Sequence, residues 1–339
     1  MKKETKKEEV KSGVTLKESL AALRKKFGDD VVMTGDYAPG NIVFTPSGSF
    51  AVDDILGGGI PEGRIIECYG EASSGKSTLA LFIAAQFQKQ GKIIAFLDHE
   101  NSYSEEYAQK LGIDTAAESF ILFQPNTLEE SFSIMMKLIE DKVIDLFIVD
   151  SVSAMVPKAE FESDDPLKAT MALQARLLSP ALRQMTNPLG KSKATVIFIN
   201  QTRQSFELYG PKDLTPGGKA LKFFSSIRIQ VKKEKDDTGK FKGPKETILG
   251  NTLKIAAVKN KCAPPYRTGT IDLYFGTGID LYNDAFAYGV EKEVITKTGN
   301  SYSFGDKKLG VGEKQGVASL KEDTALYEDI RKEIIKKMK

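Results

Sequence analysis

Gly70-Glu71-Ala72-Ser73-Ser74-Gly75-Lys76-Ser77 stands between Arg64-Ile65-Ile66-Glu67-Cys68-Tyr69, which reads as a strand, and a segment from Thr78 to Gln90. That segment carries Leu79, Leu81, Phe82, Ile83, Ala85 and Phe87 at helical spacing and is closed by Gly91. The eight residues complete the pattern G-x-x-x-x-G-K-[ST]. Gly70 and Gly75 let the backbone turn until successive N–H groups face one anion. Lys76 is placed to reach the β- and γ-phosphates of a nucleoside triphosphate, and the Ser77 hydroxyl to ligate Mg²⁺. A strand, a glycine turn and a helix N-terminus together form a phosphate site favoured by the helix dipole. A flexible Gly/Ser linker, the bland alternative, would lack both flanks. The reading is therefore an α/β nucleotide-binding domain holding its ligand through Gly70 to Thr78.

The rest of the chain extends that pattern. Strands are expected near 65–69, 93–98, 119–123, 144–150 and 194–200 with helices between, the signature of a mainly parallel central sheet covered on both faces. Ile227, Ile229 and Val231 then alternate with Arg228, Gln230 and Lys232, and another strand near 253–258 follows, which reads as an antiparallel extension. After about 275, short mixed elements and a last amphipathic helix near 325–338 suggest a small α+β C-terminal lobe. At the other end, residues 1–13 are charged and poor in apolar side chains, so disorder is expected. Thr15 and Glu18 form a capping-box pattern, Leu16, Leu20, Leu23 and Phe27 make one helical stripe, and Val31-Val32-Met33 could be a short strand. This element is too small to bury its own stripe, so it packs on the same chain or on a neighbouring subunit. The expected division is an N-terminal element and linker at 1–45, the nucleotide-binding core at 46–275 and the small lobe at 276–339.

Composition removes several function classes. No apolar run reaches the 18 or so residues of a membrane helix, and the Lys- and Glu-rich start lacks a signal-peptide stretch. Cys68 and Cys262 cannot make a disulfide framework, which fits a reducing cytoplasm, and one histidine without a C-x-x-C pair argues against zinc.

Two acids stand at strand ends. Asp150 closes the apolar run Leu146-Phe147-Ile148-Val149, at the sheet edge expected to carry the glycine loop. It reads as a second Mg²⁺ ligand, or as a helix N-cap. Glu100 follows Ile94-Ala95-Phe96-Leu97-Asp98-His99 and is a candidate to deprotonate the attacking water. It could equally be an exposed acid near a helix start, and the residues alone leave this open.

Six segments in order give a more specific match. They are the glycine loop through Leu79, 95–100, Ile148-Val149-Asp150-Ser151-Val152, 198–203, Pro216-Gly217-Gly218-Lys219-Ala220-Leu221-Lys222-Phe223, and Val258-Lys259-Asn260-Lys261. In these the chain resembles the RecA family of DNA recombinases over roughly residues 15–330. The resemblance implies a RecA-type P-loop ATPase core and an ATP-dependent recombinase. Such a protein forms a homo-oligomeric helical filament on single-stranded DNA, pairs it with homologous double-stranded DNA, and needs ATP and Mg²⁺ but no membrane. It places Glu100 at the water-activating position, Tyr107 where an aromatic stacks on adenine, and Gln201 where a side chain senses the γ-phosphate. Lys259 and Lys261 match a pair that reaches a neighbouring subunit's nucleotide, and the N-terminal helix matches the element that docks on the adjacent protomer.

Two long polar stretches, 157–172 and 202–217, are then the DNA-binding loops. The candidate contacts are Arg176, Arg203, Phe206, Tyr209, Lys212, Gly217 and Gly218, since cations hold phosphates and aromatics stack on bases. The chain departs from the family pattern at Ser104, where an aspartate near the adenine is common, and in the sequence of 162–168. It also lacks an acidic tail: residues 331–339 carry five basic residues and one acid. That end could attract duplex phosphates, or its Ile334, Ile335 and Met338 could simply pack the last helix. Two competing classes share the glycine loop, a ring-forming helicase or repair motor and a small-molecule kinase.

Overall fold

The computed structural model describes residues 14–28, 31–32, 42–164, 173–204, 213–234, 240–242 and 247–338. Residues 1–13, Met33, Phe206, Tyr209 and Lys212, with much of both expected loops, lie outside the described residues. The chain divides into two units, 1–42 and 43–339.

In the first unit, Leu16–Phe27 is a helix started by the Thr15/Glu18 capping box and stopped at Gly28. None of its residues is buried, and Leu16, Leu23 and Phe27 stay exposed. The short strand expected at 31–33 is not formed at its described residues. Val31 donates its N–H to the Gly28 carbonyl and Arg24 Nε bonds the Val32 carbonyl at 3.1 Å, which folds the segment into a turn and a bend.

The second unit is built on a ten-stranded sheet. Its strands are β1 (Ile65–Gly70), β2 (Ile94–Asp98), β3 (Phe120–Phe123), β4 (Leu146–Asp150), β5 (Thr195–Gln201), β6 (Ile227–Lys233), β7 (Ile248–Asn260), β8 (Thr268–Tyr274) and β9 (Gly278–Ile279), plus Lys240–Lys242 beside β7. The order is β9-β8-β7-β6-β1-β5-β4-β2-β3. From β6 to β3 every pairing is parallel, and β7, β8 and β9 add on antiparallel. β1, β2, β4 and β5 are buried on both faces, so their alternate side chains enter two separate cores. Ile66, Cys68, Phe96, Ile148 and Ile199 meet Leu79, Phe82 and Ile83 of α1 (Lys76–Lys89) on one face. Ile65, Leu97, Phe147, Val149 and Phe198 meet α2 (Leu128–Asp141) and α3 (Leu173–Ser192) on the other.

Beyond β9, α4 (Leu281–Glu291), a three-stranded antiparallel sheet, α5 (Glu313–Glu322) and α6 (Thr324–Met338) enclose a third core around Phe286, Tyr302, Leu309, Leu320 and Ile330. Ile334 is fully buried there and Met338 packs against it, whereas Ile335 is exposed. Lys332 and Lys336 pair with Asp329 and Glu333 on the helix's own outer face.

Candidate nucleotide and nucleic-acid site

β1 delivers the chain to the sheet's carboxyl edge at Gly70, where a side chain has no room. A Cβ there would sit 2.1 Å from the Val231 carbonyl oxygen of β6. The loop then turns through Gly75, at φ +89°, into α1, whose first turn has no side-chain cap. Most helices cover their first N–H groups with a Ser, Thr or Asp oxygen; here they are left for an incoming anion. Lys76 is buried, its Nζ bonded to the Glu71 carbonyl at 2.7 Å and in reach of Ser74 Oγ at 3.5 Å. Burial lowers its pKa, while Cys68, Asp150 and Glu100 act the other way. A cavity of about 270 Å³ opens beside the loop, lined among others by Lys76, Ser77, Thr78, Tyr107, Asn251 and Phe275. Tyr107 shares a hydrogen bond with Thr78 Oγ1 at 2.8 Å, so the expected adenine neighbour stands at this cavity. Ser104 caps the short helix that carries Tyr107, accepting the Tyr107 N–H.

Asp150 ends β4 beside the same loop and is nearly enclosed, at 3% exposure. Burial, with Glu100 and Asp98 nearby, pushes its carboxyl up to about 6, and the Ser77 hydroxyl bond and Lys76 oppose that rise. A buried carboxylate next to a hydroxyl is an all-oxygen donor set, the kind Mg²⁺ takes alongside phosphate.

Glu100 lies just past β2, in a turn held by Asp98, which accepts the Ser102 and Tyr103 N–H groups at 3.3 and 3.0 Å. Glu100 Oε1 accepts from Ser151 Oγ and, at 2.9 Å, from Gln201 Nε2 at the end of β5. Three strand ends therefore converge on one exposed carboxylate.

The loop candidates separate. Gly217 and Gly218 have φ of +82° and +70°, and a Cβ on Gly217 would lie 2.6 Å from Leu178 Cδ1 of α3. Arg176, exposed, is two residues earlier on that helix. Gln174 Nε2 bonds the Val152 and Met155 carbonyls, so the start of α3 is fastened to the chain leading into 157–172. The bases of both loops thus sit side by side. Arg203 pairs with Leu214 across a two-stranded ribbon.

Lys259 and Lys261 are elsewhere. Lys259 Nζ binds the Lys222 and Phe223 carbonyls at 2.7 and 3.0 Å, and burial, with Lys261 and Arg228 adding to it, pulls its pKa down to about 8. Through Ser226, Lys261 is level with Ile65. At roughly 3.3 Å per residue that is about 16 Å down the sheet from Gly70. The pair is remote from its own chain's phosphate loop.

Some contacts were not expected from the sequence. Asn200 is fully buried and bonds Glu67 Oε1 and the Pro216 carbonyl, both at 3.1 Å, tying β1 to the return of the second loop. Glu67 in turn pairs with Arg228, whose guanidinium lies 4.4 Å from the centre of the Tyr69 ring. His99 bonds Ser131, and burial pushes its pKa down to about 4. A polar residue inside an apolar strand, as at Glu67 and Asn200, was the available signal.

Comparison with known proteins adds the family. The RecA N-terminal domain model matches residues 14–280 and the RecA C-terminal domain model residues 283–339. Protein RecA of Bacillus subtilis is 41% identical over 320 residues, covering 93% of this chain and 89% of that protein. Protein RecA of Lactobacillus johnsonii is 40% identical over 320 residues, covering 93% and 86%. The crystal structure of the RadB recombinase superimposes with a TM-score of 0.52 at 22% identity, over 69% of this chain and 97% of that one, a likeness of fold. Among the described residues no helix is long and apolar enough to cross a membrane. With both domain models matched in order and relatives at about 40% identity along most of its length, the chain belongs to the RecA recombinase family.

Proposed function

We propose that this DNA-dependent ATPase and recombinase binds ATP with Mg²⁺ through Gly70 to Thr78 and coats single-stranded DNA as a filament, which pairs with a homologous duplex. Its core and small lobe meet near residue 275. Lys76 and the uncapped N–H groups of α1 bind the phosphates, and Tyr107 stacks on the base. Ser77 and Asp150 would hold Mg²⁺, which supplies charge neutralisation between the terminal phosphates. Glu100 orients the attacking water and takes its proton. Lys259 and Lys261, remote from their own phosphate loop, act on the neighbouring subunit's nucleotide, adding positive charge where the transition state builds negative charge. Arg176, Arg203, Phe206, Tyr209, Lys212, Gly217 and Gly218 belong to the strand-binding surface formed by the two loops.

The observation that carries this reading is the 2.9 Å bond from Gln201 to Glu100. It joins the expected water-activating carboxylate to the strand that leads into the second loop, so DNA bound there can alter the carboxylate's position. A small-molecule kinase has no need of that link. Strand exchange between a circular single strand and a linear homologous duplex tests the proposal. Product that depends on ATP and homology is expected, and duplex unwinding without homology would overturn it in favour of a motor.

A further inference from the structure

We propose that the His99–Ser131 hydrogen bond positions Glu100 and couples it to the base of the first loop, an inference that rests on the roles given above to Glu100 and to residues 157–172. His99 is the chain's one histidine and immediately precedes Glu100. Its backbone N–H donates to the Asp150 carbonyl at 2.7 Å, which extends the β2–β4 pairing by one residue. Its ring Nε2 lies 2.6 Å from Ser131 Oγ on α2. The residue before the carboxylate is therefore gripped on its main chain by one strand and on its side chain by a helix.

Ser131 is fully buried and sits one turn into α2, its Oγ also within 3.3 Å of the Thr127 carbonyl. The same first turn holds the start of the loop. Leu128 donates its N–H to the Val156 carbonyl at 2.8 Å, and Glu129 Oε2 accepts the Lys158 N–H at 2.8 Å. Glu100, His99, Ser131, the first turn of α2, and Val156 and Lys158 form one contiguous chain of bonded groups. A strand bound by 157–172 that shifts Lys158 must shift this turn, and the turn moves the residue next to Glu100. His99 and Ser131 are positioning residues: neither faces the nucleotide cavity.

Such a device is read by a coupling ratio, because coupling is the quantity that the two ends share. In the full-length chain, ATP turnover is measured with and without oligo(dT) for His99→Ala, Ser131→Ala, their combination and His99→Gln, which keeps a side-chain N–H at similar reach. The ratio of stimulated to unstimulated kcat should fall about fivefold or more in each alanine variant, with the KM for ATP within about twofold. The combined variant should be no worse than either single one. Part of the ratio should return in His99→Gln, and melting temperatures identify any variant that is merely unfolded, for which Ser131→Ala, the smaller change, decides. An unchanged ratio in Ser131→Ala, or losses that add in the combined variant, would overturn the coupling. Normal turnover by Glu100→Gln measured alongside would instead overturn the role of Glu100, so the two failures are told apart.

Discussion

Lys259 hands its ammonium to the Phe223 carbonyl oxygen at 3.0 Å, at the end of the sheet away from the phosphate loop. One chain thus carries the two halves of the expected catalytic charge at opposite edges of its sheet, which an assembly of copies can bring together and a monomer cannot. The double variant Lys259→Ala, Lys261→Ala should keep nucleotide binding and lose DNA-stimulated turnover. Lys76→Ala should lose turnover as well. Mixed in comparable amounts, the two proteins should recover part of the activity at interfaces that receive one intact element from each. Co-assembly verified by light scattering with no recovery at any ratio would count against action in trans.

Tyr209→Ala should weaken single-strand binding by about 1–3 kcal/mol per stacked base while leaving turnover without DNA intact. Gly217→Ala probes the same loop from its base. The left-handed backbone and the contact with Leu178 leave no room for a methyl group, and a cost of about 1–3 kcal/mol in stability is expected. Oligonucleotide titration by fluorescence anisotropy, with thermal melting of both variants, checks each expectation. Unaltered DNA affinity in Tyr209→Ala would move the stacking contact to another residue of the loop.

Arg228→Ala should be among the more damaging single changes in the sheet. It strips the partner from Glu67, whose side chain is wholly buried, and leaves the carboxylate to Asn200 alone. Breaking a buried pair from one side costs about 3–5 kcal/mol, whereas replacing both partners by apolar residues costs far less. Urea unfolding of Arg228→Ala and of Arg228→Met with Glu67→Leu should show that order; a single variant as stable as the parent would contradict it.

How much of this was legible beforehand follows from the range of each interaction. The glycine loop, the alternation of strands and helices, and the acids at Asp150 and Glu100 are written in neighbouring residues, and the folded chain brings them to one sheet edge. The strand expected from 144 begins at Leu146, since the Asp145 side chain instead accepts the Ile93 N–H at 2.9 Å. Two adjacent β-branched residues, Val31 and Val32, carry a strand preference, and the bond from Arg24, eight residues before Val32, that holds a bend there instead has no local pattern. The Glu67–Arg228 pair and the His99–Ser131 bond join residues 161 and 32 positions apart, and no local pattern records such partners.

The small lobe should respond to pH through Asp284. Its carboxylate accepts from Ser49 Oγ and the Phe50 N–H, which fastens α4 to the Phe50–Leu56 helix. Burial pushes its pKa up from 3.8 to about 6. Between those values the folded chain holds a proton that the unfolded chain has released, so this contribution to stability is complete below about 4 and is lost as pH rises through about 6. Asp284→Asn, which cannot ionise, should lack that decline. Calorimetric melting of both proteins from pH 4 to 7 should show the parent's advantage shrinking as pH rises; a growing advantage would reverse the sign.

ATP turnover by Glu100→Gln in saturating single-stranded DNA tests the central assignment most directly. The amide keeps the size of the carboxylate and its hydrogen bonding with Gln201, and loses the ability to take a proton. ATP and DNA binding should persist, filaments should be longer-lived, and turnover should fall by about 100-fold or more. Turnover at the parent rate would contradict the account.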